Sequence, residues 1–216
     1  MSGKNMITVE IQGGKKSYPE GITFGEIAKE YEASFAGGIA AAFFNGNLRE
    51  LFQEVNKDGV VEFLDMKTSI GHSAYMRTAV LLFVKAVNDV IGGSNIHTLR
   101  LEFSMNTGYY FSYNGAREVT QKLIGEIMDR MRQMVEAHTP IRKDTFPLSE
   151  ARTIFESQNM SDKIKTCRFR KGRDINLYEV DGYFDYFYGS MLPDMEKIKW
   201  FEVLSYKGGF IFHITF

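Results

Sequence analysis

The sequence predicts an α+β protein built in two parts. Three observations carry that reading. Strand and hairpin signals surround one short helical stretch within about sixty residues at the front of the chain. Two long segments, 72–91 and 118–137, carry apolar side chains at helical spacing. The last forty or so residues return to strand signals, closed by a Gly-Gly turn.

The elements follow in order. Met6 to Ile11 alternates as a strand, Gly13-Gly14 supply a turn, and Lys16 to Tyr18 return. Pro19-Glu20-Gly21 is a second turn signal. Thr23 with Glu26 forms a capping box, and Phe24, Ile27, Ala28 and Tyr31 follow at helical spacing. Ile39 to Phe44 reads as a strand that turns at Asn45-Gly46, the dipeptide best suited to a tight hairpin. Leu48 to Val55 continues outward, and Val60 to Leu64 closes the unit after Lys57-Asp58-Gly59.

Beyond it, Met76, Ala79, Val80, Phe83, Val87 and Val90 make one apolar face of a helix over 72–91, stopped by Gly92-Gly93. Strands follow at Thr98 to Phe103 and Tyr109 to Tyr113, joined through Asn106-Thr107-Gly108. Glu118 to Ala137 is a second long helix and Pro147 to Gln158 a third. Strands are expected at Asn176 to Val180, Tyr183 to Tyr188, Lys199 to Ser205 and Phe210 to Phe216, with a hairpin at Lys207-Gly208-Gly209. The change of character between Asp65 and Gly71 sets the expected domains at 1–67 and 68–216.

Composition excludes several classes of function. Of 216 residues, 44% are hydrophobic and 25% charged, which excludes wholesale disorder. Lys and Arg number 26 against 27 Asp and Glu, so no overall basic field exists to hold bulk nucleic acid or an anionic membrane. A single cysteine excludes intramolecular disulfides and multi-cysteine metal sites. The polar start has no secretory core, and the apolar run AVLLFVKAV, which carries Lys85, falls short of a membrane span. The expectation is a cytoplasmic protein without a membrane partner.

No phosphate loop, G-x-G-x-x-G, H-E-x-x-H or G-x-S-x-G motif is present; Gly13-Gly14-Lys15-Lys16-Ser17 lacks the spacing of a phosphate loop. Among candidate residues, His72 stands just after Gly71 at the expected start of a helix, where its ordinary role is a backbone hydrogen bond. Cys167 is expected to be buried and inert, although flanking cations could depress its pKa. Arg168, Arg170, Lys171 and Arg173 form the one strongly basic run. It reads as a solvated turn or, if extended, as a phosphate contact with alternate side chains on one face. Arg100 is a further candidate phosphate contact. Aromatics crowd at Tyr109-Tyr110-Phe111 and again at 183–188, as sheet packing or as a base-stacking platform. Strand alternation puts Tyr183, Asp185 and Phe187 on one face; a buried Asp185 needs a donor such as an Arg or a backbone amide.

Ser17-Tyr18-Pro19-Glu20-Gly21-Ile22-Thr23, together with Ala42-Phe43-Phe44-Asn45-Gly46 and Leu48, resembles a TGS domain, the ubiquitin-like β-grasp module at the front of threonyl-tRNA synthetases. Residues 68–216 resemble the second additional domain of those enzymes, an α/β two-layer domain of the threonyl/alanyl-tRNA synthetase editing type. His72-Ser73-Ala74 is similar to the start of its H-x-x-x-H helix, and Asp185 to Pro193 to its D-x-C-x-G-x-H-x-P segment. Within the resemblance, the family's second histidine falls at Met76, its cysteine at Phe187 and its last histidine at Met191, while Asp185, Gly189 and Pro193 are kept. Phe is no ligand and Met a poor one for zinc, so the resemblance implies no metal, no cofactor and no catalytic residue here. It implies instead a degenerate editing pocket lined by His72, Met76, Asp185, Phe187 and Met191.

Asp185-Tyr186-Phe187-Tyr188-Gly189 with Pro193, the helix at Met76 to Val87 and Phe146-Pro147-Leu148 also resemble a narrower group, bacterial nucleoside kinases of the uridine kinase and phosphoribulokinase type. There a P-loop kinase domain follows this front end; here the chain stops at Phe216, implying an N-terminal fragment or a naturally short relative. Three functions follow. The first is a non-catalytic accessory or regulatory region of an ATP-dependent nucleoside kinase, partnered by a C-terminal P-loop domain. The alternative is an RNA or tRNA-acceptor-binding module derived from an editing domain, with RNA held weakly. The third, a freestanding hydrolase of mischarged tRNA, is opposed by Met76, Phe187 and Met191.

Overall fold

A computed structural model describes residues 5–105 and 108–215. By contacts the chain divides into two compact units. One runs up to Thr78 and adds Tyr188–Pro193; the other holds Ala79–Phe187 and the chain from Asp194 onward.

The first unit contains β1 (Met6–Ile11), β2 (Gly14–Pro19), β3 (Ile22–Thr23), α1 (Phe24–Ala28), β4 (Ile39–Phe44), β5 (Asn47–Arg49), β6 (Glu54–Val55) and β7 (Gly59–Asp65). Its sheet runs β2-β1-β7-β4-β5, with β1 and β7 parallel, and β3 pairs with β6 apart from it. A parallel pair requires a crossover, and the stretch containing α1 supplies it. Ile7, Val9 and Ile11 alternate inward and meet Phe24, Ile27, Ile39, Phe44, Val61 and Phe63 in one apolar core. Each large side chain so buried stabilises the unit by about 1.5–3 kcal/mol before entropy is counted.

Local chemistry sets the corners. The Thr23 hydroxyl accepts from the Glu26 N–H at 3.1 Å, and the Glu26 carboxylate accepts from the Thr23 N–H at 2.8 Å, the expected capping box. The helix it starts is short, and Tyr31 lies beyond its end. Asn45 and Gly46 take φ of 49° and 77°, as a type I′ hairpin demands. The first hairpin differs from expectation by one residue: Ile11 pairs with Gly14, so Gln12 (φ 52°) and Gly13 (φ 79°) make the turn.

The helix α2 (Ser69–Ile91) starts three residues before the expected position, because the Thr68 hydroxyl accepts from the Gly71 N–H at 3.0 Å. Ala79 to Phe83 are buried without a break, so its middle is apolar all round rather than along one stripe. Its turns up to Thr78 belong to the first unit and the remainder to the second.

The second unit continues with β8 (Ile96–Met105), β9 (Gly108–Gly115), α3 (Gln121–Glu136), β10 (Arg142–Pro147), α4 (Leu148–Ser157), α5 (Ser161–Phe169), β11 (Asp174–Val180), β12 (Tyr183–Asp185), β13 (Trp200–Tyr206) and β14 (Gly209–Thr215). One antiparallel sheet runs β13-β14-β9-β8 and a second β10-β11-β12. Phe83 on α2 packs on Phe111, Phe210 and Phe212, with ring centroids at 4.8, 5.7 and 4.9 Å. Thr120 caps α3 by accepting from the Leu123 N–H. Leu123, Ile127, Met131 and Met134 are its buried face, as the spacing predicts. Of the expected turn 106–108, Asn106 and Thr107 lie outside the described residues, as does Phe216 at the end of the expected last strand. Strand β10 and helix α5 were not expected from the sequence. The strand expected over 183–188 ends at Asp185, whose Oδ1 accepts from the Tyr186 N–H at 2.6 Å in place of a ladder partner.

The mixed α+β architecture is consistent with the TGS and editing-domain resemblance. Among the described residues no helix is long and apolar enough to cross a membrane. Phe83 is fully buried at the meeting of three aromatic rings. Phe83→Ala is therefore expected to destabilise the second unit by about 3–5 kcal/mol in chemical denaturation. A loss below about 1 kcal/mol would contradict this packing.

Candidate functional site

The residues singled out in the sequence fall in both units and are described unit by unit. In the first, residues 188–193 lie against the opening turns of α2. Arg77 Nη1 donates to the Ser190 carbonyl at 2.6 Å, the Leu192 N–H to the Thr78 hydroxyl at 3.0 Å, and the Met191 N–H to the Glu50 carboxylate at 3.1 Å. Gly189 has φ of 111°, a backbone angle that selects glycine, and a Cβ there would meet at 2.6 Å the Arg77 guanidinium that holds the Ser190 carbonyl. Met191 is fully buried, Met76 half-buried and His72 exposed. His72 sits one turn inside α2, its N–H donating to the Thr68 carbonyl at 2.8 Å. The thioether of Met191 thus contributes apolar packing, and the polar bonds of this strap come from its backbone.

In the second unit, the β11–β12 register sets Asp185 beside Tyr178, and the β10–β11 register sets Tyr178 beside Lys143. Asp185 is 3% exposed. Its carboxylate accepts from Lys163 Nζ on α5 at 2.8 Å and from the Tyr186 N–H at 2.6 Å. The backbone amide was an expected donor; the cation is a lysine rather than an arginine. Lys163 Nζ also stands 5.7 Å from the centre of the Phe187 ring, and that ring lies edge-on to Tyr178 at 6.4 Å. The structure therefore brings Asp185 and Phe187 together around one ammonium group. Burial pushes the Asp185 carboxyl above its ordinary range, with Lys163 and the Tyr186 amide pulling the other way. Burial pulls Lys163 down, but the Asp185 carboxylate outweighs it and holds the ammonium above its ordinary value.

The basic run 168–173 is not the extended segment that one sequence reading required. Arg168 lies in the last turn of α5, and 170–173 form the loop into β11, with all four cations exposed. Alternate side chains therefore do not share a strand face. Arg170 instead covers the Tyr186 ring at 5.1 Å, and Phe169 beside it is 85% exposed. Arg100 is an exposed residue of β8. Cys167 is buried, and that burial raises its thiol pKa against the smaller pull of Arg170 and Arg152, so the thiolate needed for nucleophilic attack is disfavoured. Among the described residues, no group of three or more His, Cys, Asp or Glu is placed to hold a metal ion.

Comparison with known proteins gives these side chains a context. No family model matches the chain. It is 24% identical over 207 residues to the threonine–tRNA ligase of Syntrophomonas wolfei, covering 95% of this chain and 32% of that protein. The corresponding enzymes of Thermotoga petrophila and Acholeplasma laidlawii are 26% identical over 208 residues and 27% over 207. The chain is homologous to the N-terminal part of threonine–tRNA ligases. It spans about a third of the length of the curated relatives it matches, the region read above as TGS and editing domains. The relationship favours the RNA-linked reading of the sequence over the kinase-linked one, for which these ligases supply no support.

Lys163 is the residue beside Asp185 that sequence reasoning missed. It lies 22 positions before Asp185 on a helix with a weak apolar pattern, and nothing local couples the two. The pair generates a test with a definite sign. Lys163→Met leaves a buried carboxylate without its cation, at an expected cost of about 3–5 kcal/mol near neutral pH. The cost should shrink in acid, where the unpaired Asp185 is protonated. It should shrink again above the ordinary lysine range, where wild type loses the raised-pKa contribution of Lys163 itself. Urea denaturation across pH measures this, with Lys163→Met/Asp185→Leu expected to recover most of the loss. A pH-independent cost would contradict the ion pair.

Proposed function

We propose that this chain is an RNA-binding module that holds the acceptor end of a tRNA and performs no hydrolysis on it. The observation that carries the proposal is homology along nearly the whole chain to the N-terminal third of threonine–tRNA ligases. The chemistry of the second unit supports it. Arg170 over Tyr186 and Lys163 over Phe187 pair cations with aromatic faces, the combination that binds single-stranded nucleic acid by charge and stacking. Arg168, Lys171 and Arg173 add exposed cations beside them. With a formal net charge of -1 for the chain, binding rests on this local patch and is weak.

The absence of hydrolysis in this reading has a chemical ground. Attack by water needs a base or a metal to take its proton. Met76 and Met191 in the first unit and Phe187 in the second can serve as neither, and the Asp185 carboxylate is already taken up by Lys163 and the Tyr186 N–H. A second reading keeps the chain as the non-catalytic front end of an ATP-dependent nucleoside kinase, resting on Asp185 to Gly189 and Pro193. It requires a P-loop partner domain and no affinity for tRNA.

Fluorescence anisotropy with a labelled tRNA acceptor minihelix separates the two. The expected result is binding at low salt that weakens as salt rises, with the log–log slope reduced by about one for each phosphate-contacting cation removed in Arg168→Ala, Arg170→Ala, Lys171→Ala and Arg173→Ala. No binding at low salt would overturn the RNA reading. Deacylation of a mischarged tRNA, abolished by His72→Ala, would overturn the claim that no hydrolysis occurs.

A further inference from the structure

The second unit contains a polar cleft that the RNA reading does not use. It has a volume of about 330 Å³ and lies among the last turns of α2, the turn Gly93–Asn95, the end of α4 and the β11–β12 hairpin. Lys85, Asn88, Ser94, Asp181 and Tyr183 supply its polar lining, together with Gln158.

Lys85 is only 5% exposed, on a stretch of α2 that is otherwise apolar. Its Nζ lies 2.6 Å from Asp89 and 3.9 Å from Asp181. Arg130 bridges the same two carboxylates at 2.7 and 3.4 Å. Two cations thus meet two anions, and the local field is balanced. A phosphate would face Asp89 and Asp181, and a divalent cation would face Lys85 and Arg130.

Tyr183 is 4% exposed and its hydroxyl makes no hydrogen bond within the described residues. Burial, with the carboxylates of Asp185, Asp162 and Asp89 behind it, pushes its pKa well up, so it remains a phenol able to donate and accept. The hydroxyl itself is open to the solvent of the cleft, where a ligand oxygen can take the place of water. Asn88 likewise has no side-chain hydrogen bond within the described residues. Its amide stands 3.1 Å from where a Cβ on Gly93 would be, so the glycine keeps room for it. Gln158, by contrast, is fully engaged. Its amide donates to the Phe184 carbonyl at 2.6 Å and its oxygen accepts from the Phe184 N–H at 2.8 Å, which fixes the cleft wall.

We propose that this cleft binds a small neutral polyhydroxy molecule of about pentose size, with Tyr183, Asn88 and Ser94 as its hydrogen-bonding partners. Each of the three both donates and accepts, as a hydroxyl does, and the balanced charges around Lys85 select against ions. The size falls within the range of small-molecule sites. None of these residues belongs to the proposed RNA patch, so either proposal can fail while the other stands.

The test is a two-dimensional amide NMR titration of the whole chain with D-ribose, and in parallel with inorganic phosphate. Ribose is expected to give saturable shifts in the millimolar range at Asn88, Ser94, Gly182 and Tyr183. Tyr183→Phe and Asn88→Ala should each weaken binding by at least about fivefold while leaving the spectrum folded. The two variants are independent, so loss of folding in one leaves the other decisive. Unmoved amides with ribose, tighter binding of phosphate, or wild-type affinity in a folded variant would overturn the proposal.

Discussion

A carboxylate that is 3% exposed cannot remain charged in an apolar setting without a partner, and Asp185 sets the terms for everything around it. It draws Lys163 in from α5, takes the Tyr186 N–H, and ends β12 at that point. The ammonium so fixed faces Phe187, and the loop after α5 puts Arg170 on Tyr186. Replacing a buried ion pair by apolar side chains of like volume is commonly neutral or stabilising. The pair is thus poorly explained as a stability device. It is well explained as the means by which a cation is held at a chosen place beside an aromatic ring.

The same economy governs the strap 188–193. Its hydrogen bonds come from backbone groups at Ser190, Met191 and Leu192, answered by Arg77, Glu50 and Thr78. Because the backbone carries the geometry, the side chain at 191 is free to be apolar, and Met191 is buried accordingly. Gly189 is tied to its place by a positive φ and by Arg77. Asp185, Gly189 and Pro193 are the positions that the editing-domain resemblance keeps, and in 188–193 the geometry does not depend on the side chain at 191.

Much of the fold was legible because local rules were obeyed. Thr23 with Glu26, and Asn45 with Gly46, act where the sequence says they should. The buried face of α3 follows from its apolar spacing alone. The failures have physical causes. Strand β10, Arg142–Pro147, is a polar edge strand whose residues do not alternate, so only pairing with β11 reveals it. Helix α5 buries only Cys167 and leans on Ile164, too little to make a periodic signal. Missing α5 left 168–173 open between a solvated turn and an extended phosphate contact, and hid Lys163. The pocket residues were named from resemblance. Of these, Asp185 and Phe187 gather around Lys163, whereas His72, Met76 and Met191 lie with the unit that begins the chain. Lys85 stood in the sequence only as the charge in an apolar run and Tyr183 only as one of a crowd of aromatics, because a place in a cleft wall has no sequence signature.

The central claim is that a lysine-centred aromatic patch in the second unit engages the end of an RNA. Hydrogen exchange of the whole chain, with and without a tRNA acceptor minihelix, reads this directly. The account predicts new protection in 163–173 and 184–187 on adding RNA. It predicts that Lys163→Met/Asp185→Leu, folded but lacking the ammonium, loses the protection at 184–187. Protection confined to the first unit, or unchanged in that double variant, would contradict it.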